Sequence, residues 1–141
     1  MRFDCKIVAL LFCLSLSFFC SGCFESSKEL SEKGAKMVNL RRDFKAGKEL
    51  FLQAIEKDPK NAKAHKNVAY CFAKENKPDK AIKHLKKAVE IDPNYGGAHI
   101  NLSLLYFLQK DYEGAVKHCD LAVEAGFPVD MKYRNKLQKY R

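Results

Sequence analysis

The sequence lacks the residue patterns on which most enzyme active sites depend. It has no tryptophan and only 4 prolines and 7 glycines in 141 residues, and none of these forms a glycine-rich phosphate loop. No serine or cysteine nucleophile stands at a suitable spacing from a base, and no two acids are paired on one predicted helix face. The sequence therefore predicts no enzyme, no cofactor and no small-molecule substrate.

Long apolar runs are also scarce, and the longest one lies at the N-terminus. Arg2 and Lys6 precede an apolar run over residues 7–19. This run is shorter than the about 20 residues that a membrane-spanning helix needs. A basic start followed by a short apolar run is typical of a signal peptide, which takes no part in the fold.

The residues after this run resemble the bacterial lipobox, because small residues precede a cysteine in Cys20-Ser21-Gly22-Cys23. The resemblance implies lipidation of the Cys23 thiol and cleavage before it. Residues 1–22 would then be a lipoprotein signal peptide and residues 23–27 a lipidated tether. Phe24 is not the Asp of an inner-membrane retention signal, so the implied location is the cell envelope, at an outer membrane facing the periplasm if the cell has two membranes. Ordinary secretory cleavage near Ser21 and Gly22, and an uncleaved anchor, remain alternatives.

The remaining chain contains one segment written twice, with a period of 34 residues. Ala64 corresponds to Ala98, His65 to His99, Ala81 to Ala115, and His84 to His118. Each copy divides at a short turn into two helix-length runs, which are residues 62–75 and 79–91, then 96–109 and 112–124. A more divergent copy with runs 28–40 and 44–57 precedes them. A fixed period of this length predicts a stacked repeat architecture.

The copies resemble the tetratricopeptide repeat, whose pattern is aromatic-x2-Leu-Gly-x2-Tyr, then Ala-x3-Phe, Ala and Pro. The first clean copy reads His65-x2-Val68-Ala69-x2-Phe72, Ala81-x3-Leu85, Ala88 and Pro93, and the second reads His99-x2-Leu102-Ser103-x2-Tyr106, Ala115-x3-Cys119, Ala122 and Pro128. The divergent copy reads Ser31, Gly34-Ala35-x2-Val38, Gly47-x3-Phe51, Ala54 and Pro59. No copy has the opening Trp or the Gly at the eighth position.

The resemblance implies an all-α fold, a right-handed α-solenoid of about three helix pairs. The repeats would span 28–61, 62–95 and 96–128, and residues 129–141 would form a C-terminal capping helix. Val129, Tyr133, Leu137 and Tyr140 form one apolar helical stripe there, which is what the open end of a solenoid needs. Close helix crossing is the predicted reason for the two glycines in the first pair, since each costs roughly 1 kcal/mol in a helix interior.

The cysteines and histidines have no metal-site spacing. Cys71 and Cys119 occupy apolar slots of different repeats, which predicts buried free thiols, with a disulfide as the alternative. The four histidines fall into two repeat slots, and members of one slot lie about 10 Å apart, the spacing of packed helices. Such a separation is too large for a shared metal ion bound at about 2 Å. Architecture, not metal binding, is the predicted role of the histidines.

The tetratricopeptide resemblance also implies a ligand groove lined by the first helix of each repeat. Carried over position by position, the predicted groove residues are Lys36, Asn39, Lys63, Lys66, Asn67, Tyr70, Lys74, Ile100, Asn101, Leu104 and Phe107. Asn can bond to an extended peptide backbone, Lys can bind a carboxylate, and the aliphatic residues can take an apolar side chain. The alternative for Leu104 and Phe107 is packing under the cap. Ile100 and Leu104 stand where the family's carboxylate clamp needs basic residues, so that clamp is not predicted.

The predicted function is a lipid-anchored envelope scaffold that binds a peptide segment or a partner protein in this groove. Lys and Arg outnumber Asp and Glu 26 to 17, for a net charge of +9. The rival function is therefore a membrane-surface or cell-wall adaptor that binds anionic lipid or polymer through its basic face. Nucleic-acid binding is not predicted, because the protein is expected to be exported and lacks interleaved aromatic and basic strands.

Overall fold

The computed structural model describes residues 25–141, and this part of the chain contains seven α-helices, no strand and one terminal 3-10 helix. The helices are α1 (Ser27–Arg41), α2 (Phe44–Lys57), α3 (Ala62–Lys74), α4 (Pro78–Ile91), α5 (Gly96–Leu108), α6 (Tyr112–Glu124) and α7 (Met131–Leu137), followed by the 3-10 helix Gln138–Tyr140. The predicted signal peptide, the lipidation site Cys23 and Phe24 of the tether lie outside the described residues. Within them, no helix has the length and apolar character needed to cross a bilayer.

Polar side chains set the starts of most helices. Ser26 forms a capping box with Glu29 at the start of α1. The side chains of Asp43, Asn61 and Asp111 each accept a hydrogen bond from the backbone N–H three residues later. The middle repeat has Lys77 in the slot of Asp43 and Asp111, and there Pro78 begins α4 instead.

A residue with left-handed backbone follows the first helix of each pair. These residues are Arg42, Asn76 and Lys110, with φ of 54°, 57° and 64°. Their spacing equals the repeat period of 34 residues. The divergent first pair therefore reverses direction in the same way as the two clean repeats, although only Asn among the three readily tolerates this conformation.

The core consists mainly of small residues where helices cross and larger residues between them. Ala81, Ala88 and Ala98 are fully buried in a cluster that joins α3, α4 and α5, and Leu85 and Leu102 fill the space around them. The helices pack in chain order, each pair on the next. This arrangement confirms the all-α helical repeat fold that the periodicity predicted.

The crossing of α1 and α2 depends on two glycines. A Cβ atom on Gly47 would lie 2.4 Å from Cγ2 of Val38, and a Cβ atom on Gly34 would lie 2.7 Å from the Phe51 ring. Both separations are shorter than carbon atoms tolerate. The glycines therefore allow the close crossing that the sequence analysis predicted for them.

The C-terminal segment covers the last repeat. Leu137 is fully buried against Ala115 and Cys119 of α6. Tyr133 shares a hydrogen bond of 2.8 Å with Ser103, and the Tyr140 ring stacks on Tyr112 with centroids 3.8 Å apart. The predicted single helix is shorter than expected, because Asp130 caps its start and the chain narrows to a 3-10 turn after Leu137.

Candidate functional site

The first helices α1, α3 and α5 place most of the predicted groove residues around one cavity of about 400 Å³, which we call the basic cavity. Its predicted lining residues are Asn39, Lys63, Lys66, Asn67, Tyr70 and Asn101. The rest of its wall consists of motif residues of the divergent copy, namely Ala35, Val38 and Phe51. Helical spacing explains why Lys63, Lys66, Asn67 and Tyr70 lie together, because residues three and four apart on α3 share one face.

A second cavity of about 260 Å³, which we call the apolar cavity, adjoins the first. Tyr70 and Asn101 line both cavities, so the two form one groove. The remaining wall of the apolar cavity consists of Ala69, Ala73, Lys74, Leu85, Leu104 and Leu105. Tyr70 and Leu104 are each 43% exposed, so this wall is accessible to a ligand.

The asparagines and two of the lysines of the groove lack hydrogen-bond and ion-pair partners within the described part of the chain. The side-chain amides of Asn39, Asn67 and Asn101 make no hydrogen bond there. No carboxylate of residues 25–141 lies within 4.0 Å of the Lys63 or Lys66 ammonium group. Partial burial, with a smaller contribution from the Lys63 charge, lowers the pKa of Lys66. The groove therefore presents unsatisfied donors and positive charge to a ligand.

Three predicted groove residues do not line either cavity. Lys36 is exposed on α1, and Ile100 is half-buried on α5. The third prediction, Phe107, is corrected by the structure. Its ring packs under the C-terminal segment, with its centroid 5.4 Å from that of Tyr112 and 6.0 Å from that of Tyr133. The aromatic residues after position 128 draw it away from the groove, whereas Leu104 one turn earlier stays in it.

Each repeat contains one pair of contacting histidines. The sequence analysis compared histidines of different repeats and did not predict these pairs. His65 Nε2 lies 3.2 Å from the Pro59 carbonyl oxygen, and His65 Nδ1 lies 3.2 Å from His84 Nδ1. Because a carbonyl only accepts, Nε2 of His65 carries its proton, and the Nδ1–H of His84 donates to Nδ1 of His65. The sequence separation of 19 residues, present in both copies, was the available signal.

The second pair repeats this geometry. His99 Nε2 lies 2.9 Å from the Pro93 carbonyl oxygen, and its Nδ1 lies 3.0 Å from His118 Nδ1. Burial is the main cause that lowers the pKa of His65, His84 and His118, and the pKa of His118 falls to about 4. His65, His84 and His118 therefore favour the neutral form. The hydrogen bonds of each pair tie the two helices of a repeat to the preceding turn.

The two described cysteines are free and fully buried. Burial raises the pKa of Cys71 to about 11 and also raises the pKa of Cys119. A reactive cysteine needs a lowered pKa and some exposure. Both thiols therefore serve as small apolar groups of the core, and the structure does not contain the disulfide that the sequence left open.

Comparison with known proteins identifies the repeat. Residues 62–95 match the family model described as tetratricopeptide repeat, with the same bounds as the middle repeat of the sequence analysis. The chain has the fold of a tetratricopeptide-repeat solenoid. A search of curated proteins finds no match.

Several solved tetratricopeptide domains are similar to the described chain. The Sgt2 TPR domain from Aspergillus fumigatus is 25% identical, with a TM-score of 0.70 over 80% of this chain and 75% of that one. The first TPR of Spaghetti (RPAP3), bound to the HSP90 peptide SRMEEVD, is 22% identical, with a TM-score of 0.72 over 81% and 89%. The TPR2B domain of yeast Sti1, in complex with pHsp70, is 22% identical, with a TM-score of 0.69 over 82% and 98%.

Proposed function

We propose that this protein is a protein-interaction scaffold of the cell envelope, which binds a peptide segment of a partner protein in the groove of its first helices. The observation that carries the proposal is the pair of adjoining cavities lined by unpartnered amides, unpaired lysines and an exposed apolar wall. The similar TPR domain of Spaghetti was solved with a peptide bound, which supports the use of this fold for peptide capture.

The groove can be tested with peptides that the full-length protein, in detergent, selects from a random displayed library. We expect Asn67→Ala combined with Asn101→Ala to weaken binding of the selected peptides at least tenfold, because both amides face the groove without other partners. Isothermal titration measures the change. Asn135→Ala on α7 is the matched control, since Asn135 is exposed and outside both cavities. Unchanged binding by the double variant would exclude the groove as the binding site.

The envelope location rests on the lipobox resemblance around Cys23. The folded domain begins at Ser27, so lipid on Cys23 would hold the groove close to a membrane surface, because each extended residue spans only about 3.3–3.6 Å. We expect mass spectrometry of the protein from its native host to find an acylated N-terminus at Cys23, absent from Cys23→Ala and retained in Cys20→Ala. An unmodified N-terminus would refute lipid anchoring and leave the groove proposal standing.

The net charge of +9 supports the rival function, which is binding of anionic lipid or polymer. The same variants can test it in a vesicle-binding assay. Electrostatic binding to a charged surface weakens steeply with salt, whereas binding through an apolar cavity does not. Binding to anionic vesicles that persists in Asn67→Ala with Asn101→Ala and disappears at 0.5 M salt would favour the rival function.

A further inference from the structure

A third cavity, of about 420 Å³, lies apart from the groove, and we call it the α4 cavity. Most of its wall comes from α4, and the rest comes from the end of α5 and the residue after it. Its lining residues are Asp79, Ile82, Lys83, Lys86, Tyr106 and Gln109. The α4 cavity shares none of them with the basic or the apolar cavity, so a ligand could occupy it while the groove holds a peptide.

The same position between the first two repeats is filled by a side chain. Lys48 of α2 extends over the Phe72 ring, with its ammonium group 4.9 Å from the ring centroid, and forms an ion pair with Glu75. One repeat period later, Ile82 replaces Lys48 and Gln109 replaces Glu75. Because isoleucine is shorter than lysine and uncharged, no ion pair crosses the α4 cavity, and the space beside the aromatic ring stays open.

The α4 cavity carries positive charge that has no ion-pair partner. Asp79 stands one helical turn before Lys83 but accepts a hydrogen bond of 2.9 Å from the Gln109 amide. No carboxylate of the described chain lies within 4.0 Å of the Lys83 or Lys86 ammonium group. The Lys86 ammonium group lies 6.0 Å from the Tyr106 ring centroid, at the cavity wall. An anionic group of a ligand would compensate these two charges.

The rest of the wall suits a ring that carries hydroxyl groups. Tyr106 stacks on His118 with ring centroids 5.6 Å apart, which holds an aromatic face in the wall of the cavity. The negative face of an aromatic ring attracts the C–H groups of a sugar ring. Gln109 and Asp79 each have an oxygen that can accept a hydrogen bond from a hydroxyl group. A carboxylate side chain of a peptide would satisfy the lysines but would offer these oxygens no hydroxyl donor.

We propose that the α4 cavity binds a saccharide ring that carries an anionic group, either a carboxylate or a phosphate. The anionic group binds Lys83 and Lys86, the sugar ring lies against Tyr106, and its hydroxyl groups donate to Asp79 and Gln109. Such a site goes beyond the peptide groove and does not depend on it. It gives the rival function, binding of an anionic polymer, a defined place and ligand class.

The ligand class can be tested by titrating the full-length protein, in detergent, with tri-galacturonate and following the backbone amide signals by nuclear magnetic resonance. We expect the signals of Lys83, Lys86 and Gln109 to shift. Maltotriose has sugar rings but no carboxylate, and triglutamate with blocked ends has the same number of carboxylates but no sugar ring. Each should bind at least about tenfold more weakly, because each lacks one half of the recognised chemistry.

Parallel titrations with glucuronate and glucose 6-phosphate distinguish a carboxylate from a phosphate as the anionic group, and binding of either sugar supports the proposal. Equal binding of triglutamate would overturn it and indicate an acidic peptide as the ligand. Equal binding of maltotriose would exclude the lysines from recognition. The proposal also fails if none of the three acidic sugars shifts the signals of the α4 cavity.

The preceding repeat supplies a variant that closes the cavity without changing the net charge. Ile82→Lys with Gln109→Glu reproduces the ion pair of Lys48 and Glu75 and should weaken binding of the acidic sugar at least about tenfold, because the new side chain fills the space beside the ring. Its urea denaturation midpoint and its binding of groove peptides check that the variant folds. Unchanged binding of the sugar by the folded variant would exclude the α4 cavity.

A second pair of substitutions tests the charge contact by itself. Lys83→Gln with Lys86→Gln should also weaken binding of the acidic sugar at least about tenfold, since both ammonium groups would be lost. Lys28→Gln with Lys132→Gln is the matched control, because it removes the same charge from exposed positions outside the three cavities. Equal loss in both variants would show attraction to the net charge of the protein and no specific site.

The groove and the α4 cavity can fail separately. Asn67→Ala with Asn101→Ala should leave binding of the acidic sugar unchanged, because neither residue lines the α4 cavity. A loss of sugar binding in that variant would place the sugar in the groove and overturn the proposal. If no peptide binds the groove but the acidic sugar binds and is lost in the closed-cavity variant, the proposed scaffold function fails and the saccharide site stands.

Discussion

Single residues at helix crossings decide how closely the first pair can pack. Gly34 and Gly47 face each other across α1 and α2, where the Cβ position of each is also 3.1 Å from the backbone oxygen of the other. A side chain there meets backbone atoms that cannot move aside. The cost of a glycine in a helix, roughly 1 kcal/mol, is therefore smaller than the cost of separating the helices.

Gly47→Ala should accordingly lower the free energy of unfolding by about 1–3 kcal/mol, since the new methyl group would clash with Val38. Urea denaturation measures the change. Gly97→Ala is the control, because its nearest contacts would be at 3.5 Å, an ordinary van der Waals distance. A Gly47→Ala protein as stable as the Gly97→Ala protein would show that the crossing tolerates a side chain.

Helical periodicity explains where the structure has two of the predicted groove residues. Asn67 and Tyr70 line the groove because they share a face of α3 with Lys63 and Lys66, a relation that helical periodicity predicts. Phe107 could not be placed in this way. Its partners Tyr133 and Tyr140 lie beyond the last repeat, and their contact with it is a tertiary event.

At the scale of helices, the histidine pairs join the two helices of a repeat. Each pair stacks on an aromatic ring of the first helix, Phe72 beside His84 and Tyr106 beside His118. The neighbouring charges are mostly positive: Lys83 and Lys87 act on the first pair, and Lys86 and Lys117 act on the second, where Asp111 opposes them. Both burial and charge therefore disfavour protonation of His65, His84 and His118.

Stability should fall as the pH drops from about 7 to 5. The folded pKa values of His65, His84 and His118 lie below the unfolded value near 6.5, so the unfolded chain binds more protons in this window and gains stability relative to the native state. We expect a loss of about 1–2 kcal/mol, after allowance for solvent screening.

Urea denaturation at pH 7 and pH 5 measures this loss, and His84→Gln with His118→Gln should reduce it. The ion pairs of Glu75 with Lys48 and Lys77 lower its pKa to about 2. Glu75 therefore titrates below pH 5 and contributes little to the difference in stability between pH 7 and pH 5. A stability that stays constant or rises on acidification would contradict the assignment of the histidines as neutral structural groups.

For the whole molecule, stability depends on stacking, because each repeat buries its faces only against its neighbours. In the described part of the chain, residues 129–141 occupy the face of the last repeat on which a further helix pair would stack. Leu137 fills the space over Ala115 and Cys119, and Arg141 forms an ion pair with Asp120 on α6.

A chain that ends at Pro128 should lose at least about 2 kcal/mol of stability, since Leu137 and the contacts of Phe107 with Tyr133 and Tyr140 would be gone. Hydrogen exchange should accelerate more in α5 and α6 than in α1 and α2. Tyr133→Phe is the milder control, which removes only the hydrogen bond to Ser103 and should cost about 1 kcal/mol. If α5 and α6 were as well protected from hydrogen exchange in the truncated chain as in the intact chain, the C-terminal segment would not be a cap.

Local pattern was enough to establish the helices, their order and the repeat, because helix boundaries depend on nearby caps, prolines and apolar periodicity. The tetratricopeptide resemblance selected Lys63, Lys66, Asn67 and Tyr70 as groove residues, and the structure has them around one cavity. Tertiary packing decided the rest: the pairing of His65 with His84, the withdrawal of Phe107 under the cap, and the division of the groove into basic and apolar halves. These features join side chains from separate helices, and only the distance between packed helices determines which of them meet.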